Sequence, residues 1–203
     1  MRALAGFTLL AALVLGAGCN PIAPQKVTPK YLCPASCSGS VLQSFRNLYM
    51  NRDTLEYAQA ISSDFVFRFL SDPVSGHSDT LDRAGELRFA ANLFVRGSSD
   101  GVEKPAVGVQ VAFDTVSSSP DNRIGHAGWI RYDLQTSLVV TLQDETSHTV
   151  HGPAVFYFKQ EPAGSGTWKL AEWDDQPTSS SPRPGGTLPT AGTSWSSLRR
   201  LYR

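Results

Sequence analysis

The stretch HAGWIRYDLQTSLVVTL, residues 126–142, decides the fold. Ile130, Tyr132, Leu134, Leu138, Val140 and Leu142 fall on even positions, a period of two that marks a β-strand with one buried face. Alternating runs stand on either side of it. Val107, Val109, Val111 and Phe113 come before, and Ser117-Ser118-Ser119-Pro120-Asp121 supplies the turn between. Asp144-Glu145-Thr146 turns the chain again, and residues 149–159 return through Val155-Phe156-Tyr157-Phe158. Ala163-Gly164-Ser165-Gly166 then leads into a last strand over residues 167–174. Strands joined by turns this short pair antiparallel.

Upstream the period changes. Val41, Leu42, Phe45, Leu48 and Tyr49 fall at i, i+1, i+4, i+7 and i+8, one face of a helix that Ser38 or Ser40 can cap. After Asn51-Arg52-Asp53, Leu55, Ala58 and Ile61 mark a shorter helix ending near Ser62-Ser63. Phe65-Val66-Phe67-Arg68-Phe69 reads as a strand with three phenylalanines on one face. A third helix, capped by Ser78 or Asp79, repeats Leu87, Ala90, Ala91 and Phe94 and stops at residues 97–101. Helices first and strands after make the class α+β rather than α/β.

Outside this body, residues 38–175, the composition is different. Met1-Arg2 carries one positive charge, residues 3–15 are apolar apart from Thr8, and Gly16-Ala17-Gly18 leads to Cys19. That is the order of a secretory signal over residues 1–18, and its apolar part is shorter than the ~20 residues that span a bilayer. Residues 19–37, with Pro21, Pro24 and Pro29, read as a tether, and residues 176–194, rich in Pro, Ser, Gly and Thr, as a flexible linker. Formal charge is zero overall, which argues against nucleic acid as a partner, because phosphate binding needs a basic surface. The balance is uneven: residues 19–175 hold 13 Lys and Arg against 18 Asp and Glu, a charge of −5, while residues 176–203 hold four Arg and no acid. Cys33 and Cys37 enclose Pro34-Ala35-Ser36 and suit a short-range disulfide in an oxidising compartment. Two free thiols, or a metal or redox site, are the alternatives for that pair.

Two resemblances sharpen this. A cysteine directly after small residues resembles a bacterial lipobox, with Gly16 where the usual leucine stands and Leu15 one step early. It implies that Cys19 receives diacylglycerol and begins a mature chain held in the membrane by lipid. Asn20, not being aspartate, implies the outer membrane, facing the periplasm. The body, about residues 40–175, resembles the SnoaL-like, nuclear-transport-factor-2-like superfamily. The likeness lies in the helix with Phe45 and Tyr49, Asn51-Arg52-Asp53, a second short helix, Asp64-Phe65-Val66-Phe67, and the closing Trp168-Lys169-Leu170-Ala171-Glu172-Trp173-Asp174. It implies a curved antiparallel sheet wrapped as a cystatin-like cone around three N-terminal helices. These are packing motifs, and the superfamily includes ketosteroid isomerases, polyketide cyclases, dehydratases and transport receptors, so the resemblance implies a shape more than a reaction.

Enzymes of that superfamily work in the mouth of the cone, with carboxylates, histidines or tyrosines whose pKa burial moves toward neutrality. Even parity turns His126 and Tyr132 inward and puts His148 at the rim on the same side, while Tyr49 can reach the same cavity from the first helix. Together they would make a polar rim on an aromatic pocket fit for a small ligand. Both histidines stand at strand ends beside turns, however, and no Asp or Glu has core parity in mid-strand. The reading is therefore non-catalytic: binding of a small apolar ligand or an envelope partner. An acid–base enzyme of isomerase, cyclase or hydratase type, using His126 and Tyr132, is one alternative. A structural module dimerising through an outer sheet face with Trp129, Gln110 and Ala112 is the other. His148 and His151 are three apart and face opposite sides of a strand, so no metal is expected. Gly164-Ser165-Gly166 lacks the helix of a phosphate loop, and no cofactor is expected.

The last residues form a separate short helix, 195–203. Trp195, Leu198 and Tyr202 fall at i, i+3 and i+7, Thr193 or Ser194 can cap, and Arg199, Arg200 and Arg203 end it where the helix dipole favours cations. So short a helix is not stable alone in water. Trp195 is expected to dock on its own domain or on a second copy.

Overall fold

The computed structural model describes residues 38–69, 79–176 and 194–203. The signal at residues 1–18, the tether, Cys19, Cys33, Cys37 and nearly all of the linker lie outside the described residues. Among the described residues no helix is long and apolar enough to cross a membrane.

Helices α1 (Ser38–Asn51) and α2 (Thr54–Ala60) lead into strand β1 (Ile61–Arg68). Asp53 starts α2 by accepting from the backbone N–H of Leu55 and Glu56 at 3.0 and 2.9 Å, the ordinary work of an N-cap carboxylate. Strand β2 (Thr80–Asp82) and helix α3 (Arg83–Ala91) follow, and α3 runs on as one wider turn, Asn92–Arg96. Its N-cap is Asp82, not the expected Ser78 or Asp79, because Thr80 and Leu81 pair with β1 before the helix begins. Gly97 ends the turn with φ 86°, and a Cβ there would sit 2.5 Å from the Glu103 carbonyl oxygen, so only glycine fits. Four strands complete the sheet: β3 (Ala106–Pro120), β4 (Ile130–Leu142), β5 (Ser147–Gln160) and β6 (Trp168–Asp175).

The six strands lie in the order β2-β1-β6-β5-β4-β3. All pairs are antiparallel except β1 with β6, which run parallel because the chain crosses the whole sheet between them. Bulges in β3, at Ala106/Gly108 and Thr115/Ser117, bend the long edge strand. The sheet curves around the helices in an α+β fold as the resemblance implies, but it is mixed rather than antiparallel throughout, since β1 and β6 run parallel. Val41, Leu42, Phe45, Leu48 and Tyr49 of α1 are all buried against it, as their spacing predicts.

Three local expectations fail. The turn between β3 and β4 is at residues 121–129, not at 117–121, because Ser117 to Pro120 still pair with Asp133 to Ile130. Val107 is exposed although Val109 is buried, since the bulge beside it shifts the alternation. On α3 the buried face is Glu86, Phe89, Ala90, Leu93 and Phe94, one residue round from the predicted stripe, with Leu87 only partly covered.

The tenth element is α4 (Trp195–Leu201), which lies against the same core. Trp195, Leu198, Arg199 and Tyr202 are at most 1% exposed. The expected docking of Trp195 on the domain is what the structure has.

Candidate functional site: a filled interior

The interior of the cone is aromatic. Phe45 and Tyr49 from α1, Phe113 from β3, Phe156 from β5 and Trp173 from β6 have ring centroids 4.4–6.4 Å apart in mutual contact. Sheet alternation explains the convergence, since every second side chain of a half-buried strand points inward. Into this cluster three polar groups are set in series. The Tyr49 hydroxyl lies 3.3 Å from that of Tyr57, and Tyr57 donates to Glu86 Oε1 at 2.6 Å. Burial pushes the pKa of both tyrosines well up, aided at Tyr57 by the negative Glu86, so both keep their protons.

Helix α4 packs into the same cluster. The indole of Trp195 lies 4.6 Å from Trp173, 5.9 Å from Tyr49 and 6.3 Å from Phe113, centroid to centroid. Its Nε1 donates to Thr136 Oγ1 at 2.8 Å, and that hydroxyl donates to the Gly152 carbonyl at 2.7 Å. Arg199 meets Glu86 with two parallel bonds, Nε to Oε2 at 2.8 Å and Nη2 to Oε1 at 2.7 Å, both side chains being 0% exposed. Its guanidinium carbon lies 3.8, 4.2 and 4.7 Å from the ring centroids of Phe67, Trp173 and Phe89. The remaining nitrogen, Nη1, has no hydrogen-bond partner among the described residues. Burial opposes the Arg199 charge, but Glu86 outweighs it and the guanidinium pKa is raised. At the ends of the helix, Ser196 N–H donates to Asp175 Oδ2 at 2.8 Å and Asn92 Nδ2 donates to the Tyr202 carbonyl at 2.9 Å.

The expected pocket of Tyr49, His126, Tyr132 and His148 does not assemble. Tyr49 is in the interior and Tyr132 faces inward, 3% exposed and edge-on to Phe158 at 5.7 Å. His126 is not on β4 at all. It sits in the loop of residues 121–129, where Gly125 and Gly128 have positive φ and strand parity has no meaning. There it pairs with Asp121 at 2.6 Å, stacks on Trp129 at 4.1 Å and approaches Glu172 at 3.9 Å. Glu172 alternates with the buried Trp173 and so points to the outer face, away from Tyr132. His148 is at the rim as expected, but bonded to Glu103 at 2.7 Å and edge-on to Tyr202 at 6.5 Å. Trp129 is no apolar sheet-face residue either, because His126 covers one side and Lys159 approaches its ring at 5.4 Å.

Around His126 the outer face carries a chain of paired charges. Arg123 bonds Asp121 and Glu172 at 2.7 and 2.9 Å and lies 3.9 Å from the centre of the Tyr157 ring, while Arg68 bonds Glu172 and Asp174 at 3.0 and 3.2 Å. The hydrogen bonds from Arg123 hold the Asp121 carboxyl well below the usual carboxylate range. This network fastens the loop to β6 and β1. Among the described residues there are surface clefts of about 430 Å³ beside Ser63, Trp129, Lys159 and Glu161 and of about 310 Å³ beside Leu42, Arg46, Phe113 and Thr115. Among the described residues no cluster of three or more His, Cys, Asp or Glu could hold a metal.

Tyr57, Glu86, Thr136 and Arg199 are among the site residues that sequence reasoning missed. Thr136 had a signal: it is a polar residue at core parity in an otherwise apolar row. Glu86 had none, because its partner is 113 residues away.

No family model matches the chain, and no curated relative does. The comparison with solved structures decides the shape. A nuclear transport factor 2-like superfamily protein from Salmonella enterica serovar Typhimurium superposes with TM-score 0.50 over 75% of this chain and 96% of its own, at 9% identity. The fold is that of nuclear transport factor 2. A conserved protein from Planctomyces limnophilus gives TM-score 0.51 at 12% identity, over 67% of this chain and 89% of its own. At such identities the likeness is one of fold, and in this chain the C-terminal helix α4 packs into the cone.

Proposed function

We propose that this chain is a lipid-anchored cell-envelope protein whose NTF2-like domain binds a partner and catalyses no reaction. One observation carries the reading. Trp195 and Arg199 occupy the interior, and Arg199 neutralises Glu86, a buried carboxylate that could serve an acid–base step there. A general base must accept a proton from a substrate within hydrogen-bond reach. Glu86 instead receives two bonds from Arg199 and one from Tyr57, which leaves a substrate no place beside it. A filled interior also disfavours a small apolar ligand inside the cone, and so favours an envelope partner among the binding readings. The lipobox-like run before Cys19, with Asn20 after it, supports acylation at Cys19 and retention in the outer membrane, facing the periplasm.

The test is a thermal-shift and turnover screen on the full chain, with small apolar ligands and with carbonyl compounds suited to isomerisation or hydration. No saturable shift and no turnover is the expected result. A ligand that raises the melting temperature saturably and loses its effect in Tyr49→Phe would overturn the reading. An acid–base enzyme is the second reading, favoured by the buried Tyr49–Tyr57–Glu86 series. It requires α4 to leave, so turnover by a chain ending at Gln176, absent in the full chain, would select it.

A further inference from the structure

We propose that the cone interior is a receptor for an arginine-bearing amphipathic helix, that α4 is its occupant in cis, and that the α4 of a second copy seats in it the same way. This deepens the binding reading above by naming the partner as another copy of this chain.

The receiving half comes wholly from residues outside α4. Tyr57 orients Glu86, Phe67, Phe89 and Trp173 form the cage around the guanidinium, and Thr136 is fixed by its bond to Gly152. Asp175 waits at the end of β6 for the first turn of the helix. All of these residues lie before position 177. The entering half is ten residues long and presents Trp195, Leu198, Arg199 and Tyr202 at i, i+3, i+4 and i+7, the anchor pattern of a helix laid in a groove. Among the described residues, α4 shares no backbone-to-backbone hydrogen bond with the rest of the domain. Each polar contact uses a side chain on at least one partner, as for a bound ligand.

The connection has length to spare. Ser196 N–H is 2.8 Å from Asp175 Oδ2, so the two ends of the linker meet, and four or five residues would close so short a loop. Residues 177–193 number seventeen and can span up to about 55 Å when extended. The same linker therefore reaches a neighbouring domain without strain. An exchanged helix makes the contacts it makes in cis, which is why exchange of identical elements is a low-cost route to dimers. The opposite charges of body and tail, −5 and +4, attract in either arrangement.

The experiment places a specific protease site within residues 177–193 of the full chain, cleaves it, and adds a fluorescent peptide of residues 193–203. Uptake of the peptide by the cleaved domain, with at least tenfold weaker uptake of the Arg199→Ala peptide, is expected. A cleaved domain that keeps its own helix and never exchanges it overturns the proposal, as does equal uptake of both peptides. Should cleavage unfold the domain, two uncleaved preparations are refolded together, one with a donor dye at position 110 and one with an acceptor at position 203. Energy transfer between chains supports exchange, and its absence overturns it. None of these readouts measures turnover or small-ligand binding, so the proposal can fail while the non-catalytic reading stands, and the reverse.

Discussion

Arg199→Met removes the buried cation and keeps most of the side-chain length. Both members of the Arg199–Glu86 pair are 0% exposed, so the variant strands a carboxylate in the core with Tyr57 as its one remaining hydrogen-bond donor of the three. Breaking one side of a buried pair costs about 3–5 kcal/mol, because the surviving charge keeps its desolvation penalty and loses its compensation. Domains of this size have about 5–15 kcal/mol in total, and each kcal/mol moves the melting temperature by about 2–4 °C. The expected loss is therefore on the order of 10–15 °C, read by circular dichroism, with a matching fall in urea stability at 25 °C. Adding Glu86→Gln removes the stranded charge and keeps an acceptor for Tyr57, so the double variant should regain about half of the loss or more. If Arg199→Met costs less than ~1 kcal/mol, the scale of a surface pair, α4 is not where the structure has it. A double variant no more stable than the single one would also refute the reasoning.

Thr136→Val leaves the Trp195 indole N–H buried without its acceptor and should cost about 1–3 kcal/mol in urea denaturation. The Asp121 carboxyl is depressed by Arg123, so its contribution to stability is present above about pH 4, the ordinary unfolded value, and is lost as pH falls through the lower folded one. Asp121→Asn should therefore be less stable than the parent at pH 7, with the gap closing in acid; a gap that stays constant from pH 7 to pH 3 would remove the network from the account. Cys19→Ser should release the protein from membranes or leave it unprocessed, checked by fractionation, whereas unmodified parent protein in the soluble periplasm would contradict acylation.

Much of this fold was legible in local pattern. The stripe of α1, Phe65 and Phe67 of β1 with Phe69 just beyond it, and the alternation of β4 and β5 all face the core as their spacing implies, because one buried face imposes its own period. What failed was register at the edges. His126 has the parity of Tyr132 but lies beyond the start of β4, in a loop that opens where two glycines take positive φ. Parity carries information only inside a ladder, and the ladder runs on through Ser117 to Pro120, the residues that read as the turn. Glu86 failed for a different reason. A carboxylate on a helix face argues for solvent unless a partner is in view, and its partner belongs to a tail read as a separate element. The tail itself was legible as a helix seeking a surface, since Trp195, Leu198 and Tyr202 share one side, but not as the filling of the cone.

The central claim is that Trp195 lies inside the domain, and nuclear Overhauser contacts in the full chain test it most directly. With the two indoles 4.6 Å apart and Nε1 bonded to Thr136, ring protons of Trp195 should show cross-peaks to Trp173, Tyr49 and the Thr136 methyl. Absence of those cross-peaks, with narrow random-coil resonances for residues 194–203, would contradict it.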